Sequence, residues 1–137
     1  MNAAQKIYAL RLHPGDDLKK SLAAFAQQHN VEAGYIITCV GSLTGCNLRF
    51  AGQTEGFSIK AKFEILSLSG TLSIHGIHLH IALADETGIA VGGHLLDGNM
   101  IYTTAEIIIG EAPNLSFTRA HDPATGYTEL VVQAREI

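Results

Sequence analysis

Charged side chains are scarce in this chain, and positive charge is not in excess. Only 16% of the 137 residues are Asp, Glu, Lys or Arg, and the formal net charge is −4. Proteins that bind nucleic acid non-specifically normally attract its phosphate backbone with excess positive charge. DNA binding would therefore require a local basic patch, and none is evident in the sequence.

Cysteine is also rare, and no hydrophobic run approaches the length of a membrane span, about 20 residues. Cys39 and Cys46 form neither a Cys-x-x-Cys motif nor a disulfide framework, which is typical of proteins in a reducing cytoplasm. Residues 1–6 lack the apolar core of a signal peptide. We therefore expect a cytoplasmic protein with no membrane partner.

The motifs of several common enzyme classes are missing as well. Gly92-Gly93 is not part of a Gly-x-Gly-x-x-Gly fingerprint, and the sequence contains neither a Walker loop nor a Gly-x-Ser-x-Gly elbow. These patterns mark dinucleotide sites, nucleotide phosphate sites and serine nucleophiles. A function must be sought in other residues.

Hydrophobic residues, by contrast, are abundant at 47% of the chain. That leaves less polar material than an average soluble surface uses. A chain of this length is long enough to form a core without disulfides or a structural metal. We predict one domain spanning residues 1–137, with part of its surface buried between the subunits of an obligate oligomer.

The hydrophobic pattern predicts one helix and many strands. Asp16 or Asp17 can cap a helix in which Leu18, Leu22, Phe25 and Ala26 recur at helical spacing until Asn30. One amphipathic helix against many strands indicates an α+β fold. Breaks are expected at Gly41-Ser42 and at Gly70, which separate the predicted strands 7–12, 33–40, 43–50, 57–68, 72–84, 89–95, 100–109, 115–121 and 129–134.

The most informative stretch runs from His75 to Leu95 and is typical of a β-hairpin, with turn residues 85–88 between two apolar runs. Side chains alternate between the two faces of a strand, so His78 and His80 share one face. His75 is out of phase with them.

The length of the loop decides whether His94 lies on the same face. A loop of two or four residues would place His94 opposite Leu79, on the wrong face. A three-residue loop over residues 86–88 puts Gly88 in the left-handed position that such loops favour, and pairs Asp85 with Ile89. His80 then lies opposite His94, with their Cβ atoms about 5 Å apart.

Three neutral imidazoles around one ion, with a fourth position open, describe an open zinc-type site. We therefore predict that His78, His80 and His94 bind zinc or another divalent metal. The alternative is that they are ordinary core or surface histidines with hydrogen-bond partners.

Two glutamates stand inside apolar strands, Glu64 after Phe63 and Glu106 after Ala105. A buried carboxylate needs a partner, or its pKa rises. Both are therefore candidate catalytic residues, for general acid–base work or for contacts to the metal ligands. The alternative is that each lies on the solvated face of its strand.

Several motifs also resemble those of a known family, the plants-and-prokaryotes-conserved (PPC) domain. The resemblance covers nearly the whole chain, and it is carried by the order and spacing of Phe63-Glu64-Ile65-Leu66-Ser67-Leu68-Ser69-Gly70, His78-Leu79-His80, Gly92-Gly93-His94-Leu95 and Thr104-Ala105-Glu106.

The resemblance implies a mainly antiparallel sheet with one principal helix packed on it, assembled as a homotrimer. It also implies that the histidines at positions 78, 80 and 94 can hold a metal, zinc by expectation, in some bacterial members. In plants the domain is the C-terminal part of AT-hook nuclear-localised proteins, and its stand-alone bacterial members are often labelled PD1-like DNA-binding proteins.

Two departures separate this chain from the plant proteins. Ala61-Lys62 replaces the Gly-Arg that begins a plant segment used to recruit transcription factors, and the Arg-Gly-Arg core of the AT-hook is missing. Without a basic arm, the physical basis for DNA binding is weak.

Two interpretations of function follow. The first is a trimeric DNA-binding or regulatory protein, as its family implies. The second is a metal-dependent enzyme or small-molecule-binding protein that uses the three histidines.

Overall fold

The computed structural model describes residues 4–136, so the two ends of the predicted domain 1–137 lie outside the described residues. These residues form one helix and ten strands. In chain order they are β1 (Lys6–Leu12), α1 (Leu18–Gln28), β2 (Gly34–Leu43), β3 (Cys46–Arg49), β4 (Phe57–Ile59), β5 (Phe63–Ser73), β6 (Gly76–Ala84), β7 (Ala90–Leu95), β8 (Ile101–Glu111), β9 (Leu115–Asp122) and β10 (Tyr127–Ala134).

Eight of the strands form one antiparallel sheet in the order β1-β8-β2-β5-β6-β7-β3-β4. The other two, β9 and β10, pair only with each other. The predicted α+β class and antiparallel sheet are confirmed. No helix within residues 4–136 is long and apolar enough to cross a membrane.

The helix α1 forms where its cap and spacing predict. The carboxylate of Asp17 accepts a hydrogen bond from the Lys20 amide at 3.1 Å, which satisfies one free amide of the first turn. The predicted apolar residues of α1 are all buried, and they belong to one core cluster with residues of β5, on which α1 packs, such as Leu72. The sheet therefore has a core face, while its other face carries exposed residues.

The predicted breaks at Gly41-Ser42 and Gly70 are wrong, because β2 and β5 continue through them. A Cβ at Gly41 would overlap the carbonyl oxygen of Thr104, and one at Gly70 would overlap that of His78. These glycines allow close approach of neighbouring strands rather than ending a strand. The predicted strand 72–84 is instead interrupted at Ile74 and His75, where β5 turns into β6.

The cysteines contribute to the core. Cys39 and Cys46 are both buried and free. Burial, reinforced by the charge of Glu106, raises the pKa of Cys39 to about 11. Burial likewise raises the pKa of Cys46. Both thiols are therefore protonated at neutral pH and are poor nucleophiles.

Asn99 joins β3 to the end of β7. Its fully buried side chain accepts a hydrogen bond from the Asn47 amide at 2.9 Å, and its Nδ2 donates to the carbonyls of Asn47 and Leu96 at 2.9 and 2.8 Å. Three backbone groups thus bond to one side chain, and of these the Asn47 carbonyl also accepts a hydrogen bond from the Leu96 amide at 3.4 Å.

We predict that Asn99→Ala lowers the free energy of unfolding by about 2–4 kcal/mol, because it leaves buried backbone groups without partners. Urea denaturation measures this change. The matched control is Ser58→Ala, which removes an exposed hydroxyl bonded to the Asn47 side chain and should cost less than about 0.5 kcal/mol. Equal effects of the two substitutions would contradict the prediction.

Candidate metal centre

The β6–β7 hairpin brings the three predicted histidines together. His78 and His80 alternate along β6 with the buried Leu79, Ile81 and Leu83. His80 is paired with His94 across the hairpin. The predicted register is confirmed.

The loop has the predicted three-residue length. The amide of Asp85 donates to the carbonyl of Ile89 at 2.9 Å, and Gly88 has a φ of +82°. One oxygen of the Asp85 carboxylate accepts hydrogen bonds from the amide and hydroxyl of Thr87 and from the amide of Ile89, at 2.8, 2.6 and 3.0 Å. These bonds lower the pKa of Asp85, so this acceptor stays ionised across the neutral range.

The spacing of the imidazole nitrogens suits a metal ion. One ring nitrogen from each of His78, His80 and His94 lies within 4.8 Å of the others. The Nε2 atoms of His78 and His80 are 3.3 Å apart. In a tetrahedral site with zinc–nitrogen bonds of about 2.0–2.1 Å, two ligand nitrogens are separated by about 3.3 Å. The His78 and His80 nitrogens therefore have the spacing of two zinc ligands, and a His94 nitrogen lies within 4.8 Å of both.

The strand beside β6 also shapes this site. Gly70 on β5 pairs with Leu79, between the two histidines of β6, and its φ is +139°. A side chain at this position would collide with the backbone of His78. The glycine therefore lets β5 lie close to the strand that carries two of the three candidate ligands.

Burial and neighbouring positive charge keep two of these histidines neutral. Burial lowers the pKa of His94 to about 4, and repulsion from Arg49 and His78 adds to this effect. Burial, followed by repulsion from His80 and Arg119, lowers the pKa of His78. The Nδ1 atom of His94 is buried and has no hydrogen-bond partner within the described chain. Neutral imidazoles with free nitrogens are the form that coordinates metals.

Open clefts give access to the cluster. One cavity of about 480 Å³ reaches His78 and His94 and is shared with the β9–β10 hairpin; its charged and phenolic lining residues are Arg49, Arg119, Glu129 and Tyr127. A second, of about 380 Å³, reaches all three histidines beside Gly92 and Gly93. Small molecules of ordinary metabolite size fit such volumes, which are typical of binding sites.

The β9–β10 hairpin is held beside the histidines by hydrogen bonds to the end of β5 and to the segment before β2. The amide of Phe117 donates to the carbonyl of Glu32 at 2.8 Å, and the Ser73 hydroxyl donates to the carbonyl of Phe117 at 2.7 Å. Sequence reasoning missed the residues that this hairpin brings to the cleft, Arg119, Tyr127 and Glu129. No local pattern marks them, because the docking of one hairpin on another sheet leaves no periodic signal.

His75 lies outside the cluster, as its phase predicts. Its Nε2 is 3.4 Å from a carboxylate oxygen of Glu32. It serves as a natural comparison for the three clustered histidines.

The structure does not bring Glu64 or Glu106 to the histidines. Both are exposed, which matches the solvated-face alternative rather than burial. Glu64 pairs with Ala84, four residues along β6 from His80, or about 13 Å along the strand. Glu106 is on β8, which is separated from β6 by β2 and β5. Within one chain, neither carboxylate is placed to act at the candidate metal centre.

Comparison with known proteins decides the family. The Plants and Prokaryotes Conserved (PCC) domain matches residues 1–113. The chain belongs to this family. PCC and PPC abbreviate the same domain name, so the predicted resemblance is confirmed.

Relatives of the PCC chain include much longer proteins. A bifunctional protein GlmU from Synechococcus sp. (strain JA-3-3Ab) is 48% identical over 128 residues, which are 93% of this chain and 21% of that protein. AT-hook motif nuclear-localized protein 8 of Arabidopsis thaliana is 25% identical over 112 residues, 75% of this chain and 29% of that protein. The chain thus spans less than a third of either relative.

Solved structures share the whole PCC fold. A hypothetical protein from Salmonella superposes with a TM-score of 0.94 at 43% identity, covering 99% of this chain and 100% of that one. A protein from Archaeoglobus fulgidus, described as metal-containing, has a TM-score of 0.81 at 25% identity and covers 96% of both chains.

We predict that the metal-free protein loses stability as the pH falls from about 6.5 towards 4, partly because of His94. Its pKa is about 4 in the folded chain, against an ordinary value of 6.5. The unfolded chain therefore binds a proton in this window while the folded chain does not, so stability is fully present above the window and falls with pH. Urea denaturation of chelator-treated protein at several pH values tests this.

The control is His94→Asn, which removes the titrating group and should reduce the loss over the same pH window. An identical pH profile for both proteins would show that His94 makes no contribution.

Proposed function

We propose that this PCC-domain protein binds a divalent transition metal, zinc by preference, through His78, His80 and His94, and presents an open coordination position to a small molecule. The observation that carries the proposal is the convergence of three imidazole nitrogens within 4.8 Å of one another. Imidazole ligands suit zinc, copper, iron and nickel. A zinc ion with three protein ligands and a free position supplies Lewis-acid chemistry.

Three features support metal binding over an ordinary role for these histidines. The pKa values of His78 and His94 are lowered, so the ligating form persists. The buried Nδ1 atom of His94 has no hydrogen-bond partner within the described chain. The Archaeoglobus structure with the same fold is described as metal-containing. Enzymatic activity is not part of the proposal, since Glu64 and Glu106 would need another molecule to bring them to the site.

DNA binding is the second candidate function, and the relative named for an AT-hook motif favours it. The charge of this chain opposes it. A net charge of −4 gives no overall attraction to phosphate. Arg49 and Arg119 line a concave cleft, and neither stands on a protruding helix or strand of the kind that enters a DNA groove. We therefore place small-molecule binding ahead of DNA binding.

We further propose that the chain assembles as a homotrimer through the sheet face that α1 does not cover. Val40 and Leu66 are each 58% exposed there, although both are large and apolar. Gly41 pairs with Ile65, which places these two side chains beside each other on β2 and β5. Neighbouring exposed apolar residues on β2 and β8 are Ile37 and Tyr102. Such a patch commonly marks a protein interface.

Two other sequence predictions remain part of this proposal. The chain forms one domain over residues 1–137, and it works in the cytoplasm, where the free thiols of Cys39 and Cys46 remain reduced.

We predict that replacing any one of His78, His80 and His94 with alanine weakens zinc binding by more than roughly 100-fold. The loss of a metal ligand lowers the affinity more than the loss of a residue that only hydrogen-bonds to a ligand. Zinc competition with a chromogenic chelator measures the affinity, and mass spectrometry of the elements measures the metal content of untagged protein. The matched control is His75→Ala, which should bind zinc as the wild type does.

A sharper version inserts one residue between Ala90 and Val91, beyond the Asp85–Ile89 pair that closes the loop. With that pair kept, the insertion turns His94 to the opposite face and keeps all three histidines in the chain. A folded insertion variant with stoichiometric zinc would show that the ligand set is not the one proposed.

The trimer predicts a molar mass three times that of the 14.6 kDa chain. Leu66→Lys should shift the protein towards the monomer, because burying a leucine contributes about 1.5–3 kcal/mol for each copy and a lysine cannot replace it. Light scattering across a dilution series measures the mass. The control is Ile89→Lys, which replaces a residue next to the hairpin loop that is 68% exposed and should not change the mass. A wild-type monomer at all concentrations would rule out the assembly.

A further inference from the structure

Arg49 is built into the edge of the candidate metal centre. It ends β3, and the pairing of β3 with β7 sets it opposite His94. It lines both clefts that reach the histidines. Its position is fixed by the buried link between Asn99 and Asn47, two residues earlier on the same strand.

Arg119 reaches the same histidines from the β9–β10 hairpin. Its guanidinium donates a hydrogen bond to the Thr71 hydroxyl at 3.0 Å, and Thr71 is paired with His78. A Cβ at Gly76 would lie 3.1 Å from the Cγ of Arg119, so this glycine leaves space for the arginine stem. A guanidinium has five N–H donors, and this single bond leaves most of them free to contact a ligand.

This arginine pair, Arg49 and Arg119, brings more positive charge to the larger cleft than the carboxylate of Glu129 that lines it can offset. In the part of the chain that the structure describes, the ion pair that forms joins His75 and Glu32, and neither arginine has a carboxylate within 4.0 Å. Glu129 lines the larger cleft without pairing with them. Three neutral imidazoles add no negative charge, so a divalent ion would leave its own two charges uncompensated as well.

We infer that the arginine pair selects a small oxyanion, a carboxylate or a phosphate group of a metabolite, as the ligand of this site; this inference rests on the proposed metal function. Guanidinium groups match the geometry of carboxylate and phosphate oxygens and bind them with charge-assisted hydrogen bonds. An anion between the arginines and the metal ion offsets positive charge that the protein leaves unbalanced. The cavity of about 480 Å³ holds a metabolite rather than a single inorganic ion.

Isothermal titration calorimetry of the zinc-loaded protein tests the inference with inorganic phosphate and acetate as the anionic probes and acetamide as the neutral counterpart of acetate. We expect phosphate, acetate or both to bind, and acetamide not to bind. Binding by one anion alone identifies which oxyanion the site takes. The metal-free protein should bind the same anion more weakly.

Single variants assign the interaction to the arginines. Arg49→Ala and Arg119→Ala should each weaken anion binding by roughly tenfold or more, since each removes charged hydrogen bonds. Arg49→Lys keeps the positive charge but lacks the planar guanidinium group. Its affinity for the anion should lie between those of the wild type and of Arg49→Ala. The matched control is Lys60→Ala, which removes one positive charge at an exposed position beyond β4 and should leave the affinity unchanged.

Zinc content and circular dichroism measured on the same samples separate the possible failures. Stoichiometric zinc with no binding of either anion overturns the inference and leaves the metal function standing, as does anion binding that both arginine variants retain in full. Anion binding that is equally strong without zinc overturns the link between the anion and the metal. A wild-type protein that takes up no metal overturns the proposed function, and the inference fails with it.

Discussion

The alternation of side chains along β6 is the constraint on which the candidate site depends. The same strand places Leu79, Ile81 and Leu83 in the core and His78 and His80 on the opposite face. Burying each of these aliphatic side chains is worth about 1.5–3 kcal/mol. A slip of one residue would expose all three and bury two imidazoles, so the core itself enforces the register that brings His80 opposite His94. The hydrogen bonds of Asp85 within the loop select the same register locally.

The two faces of the sheet therefore have different roles, one in the core and the other in the candidate site. The face under α1 holds the core, and the other carries the histidines, together with Val40 and Leu66. The latter face holds both the candidate metal centre and the proposed trimer contact, so the two proposals concern the same side of the sheet. Arg49 and Arg119 contribute positive charge beside the three histidines.

The parts of this molecule that could be predicted from the sequence are those governed by local periodicity. Strand parity and the left-handed Gly88 were sufficient to place His78, His80 and His94 together, and Asp17 with its helical pattern was sufficient for α1. Gly41 and Gly70 misled the prediction, since a glycine that admits a neighbouring backbone resembles one that ends a strand. The exposure of Glu64 and Glu106 could not be predicted locally, because it depends on which face of the sheet is covered. The neighbours Arg49 and Arg119 arise from β3 pairing with β7 and from hairpin docking, contacts that no short window of sequence contains.

The closing pair of the β6–β7 loop carries more information than the loop itself. Asp85 and Ile89 lie equally far along their strands from His80 and His94, so strand parity sets both imidazoles on one surface whatever lies between the pair. A one-residue insertion on only one strand, between the closing pair and its histidine, would separate the third imidazole from the other two even with every histidine in place. Retention of the three histidines is therefore not the same as retention of the site.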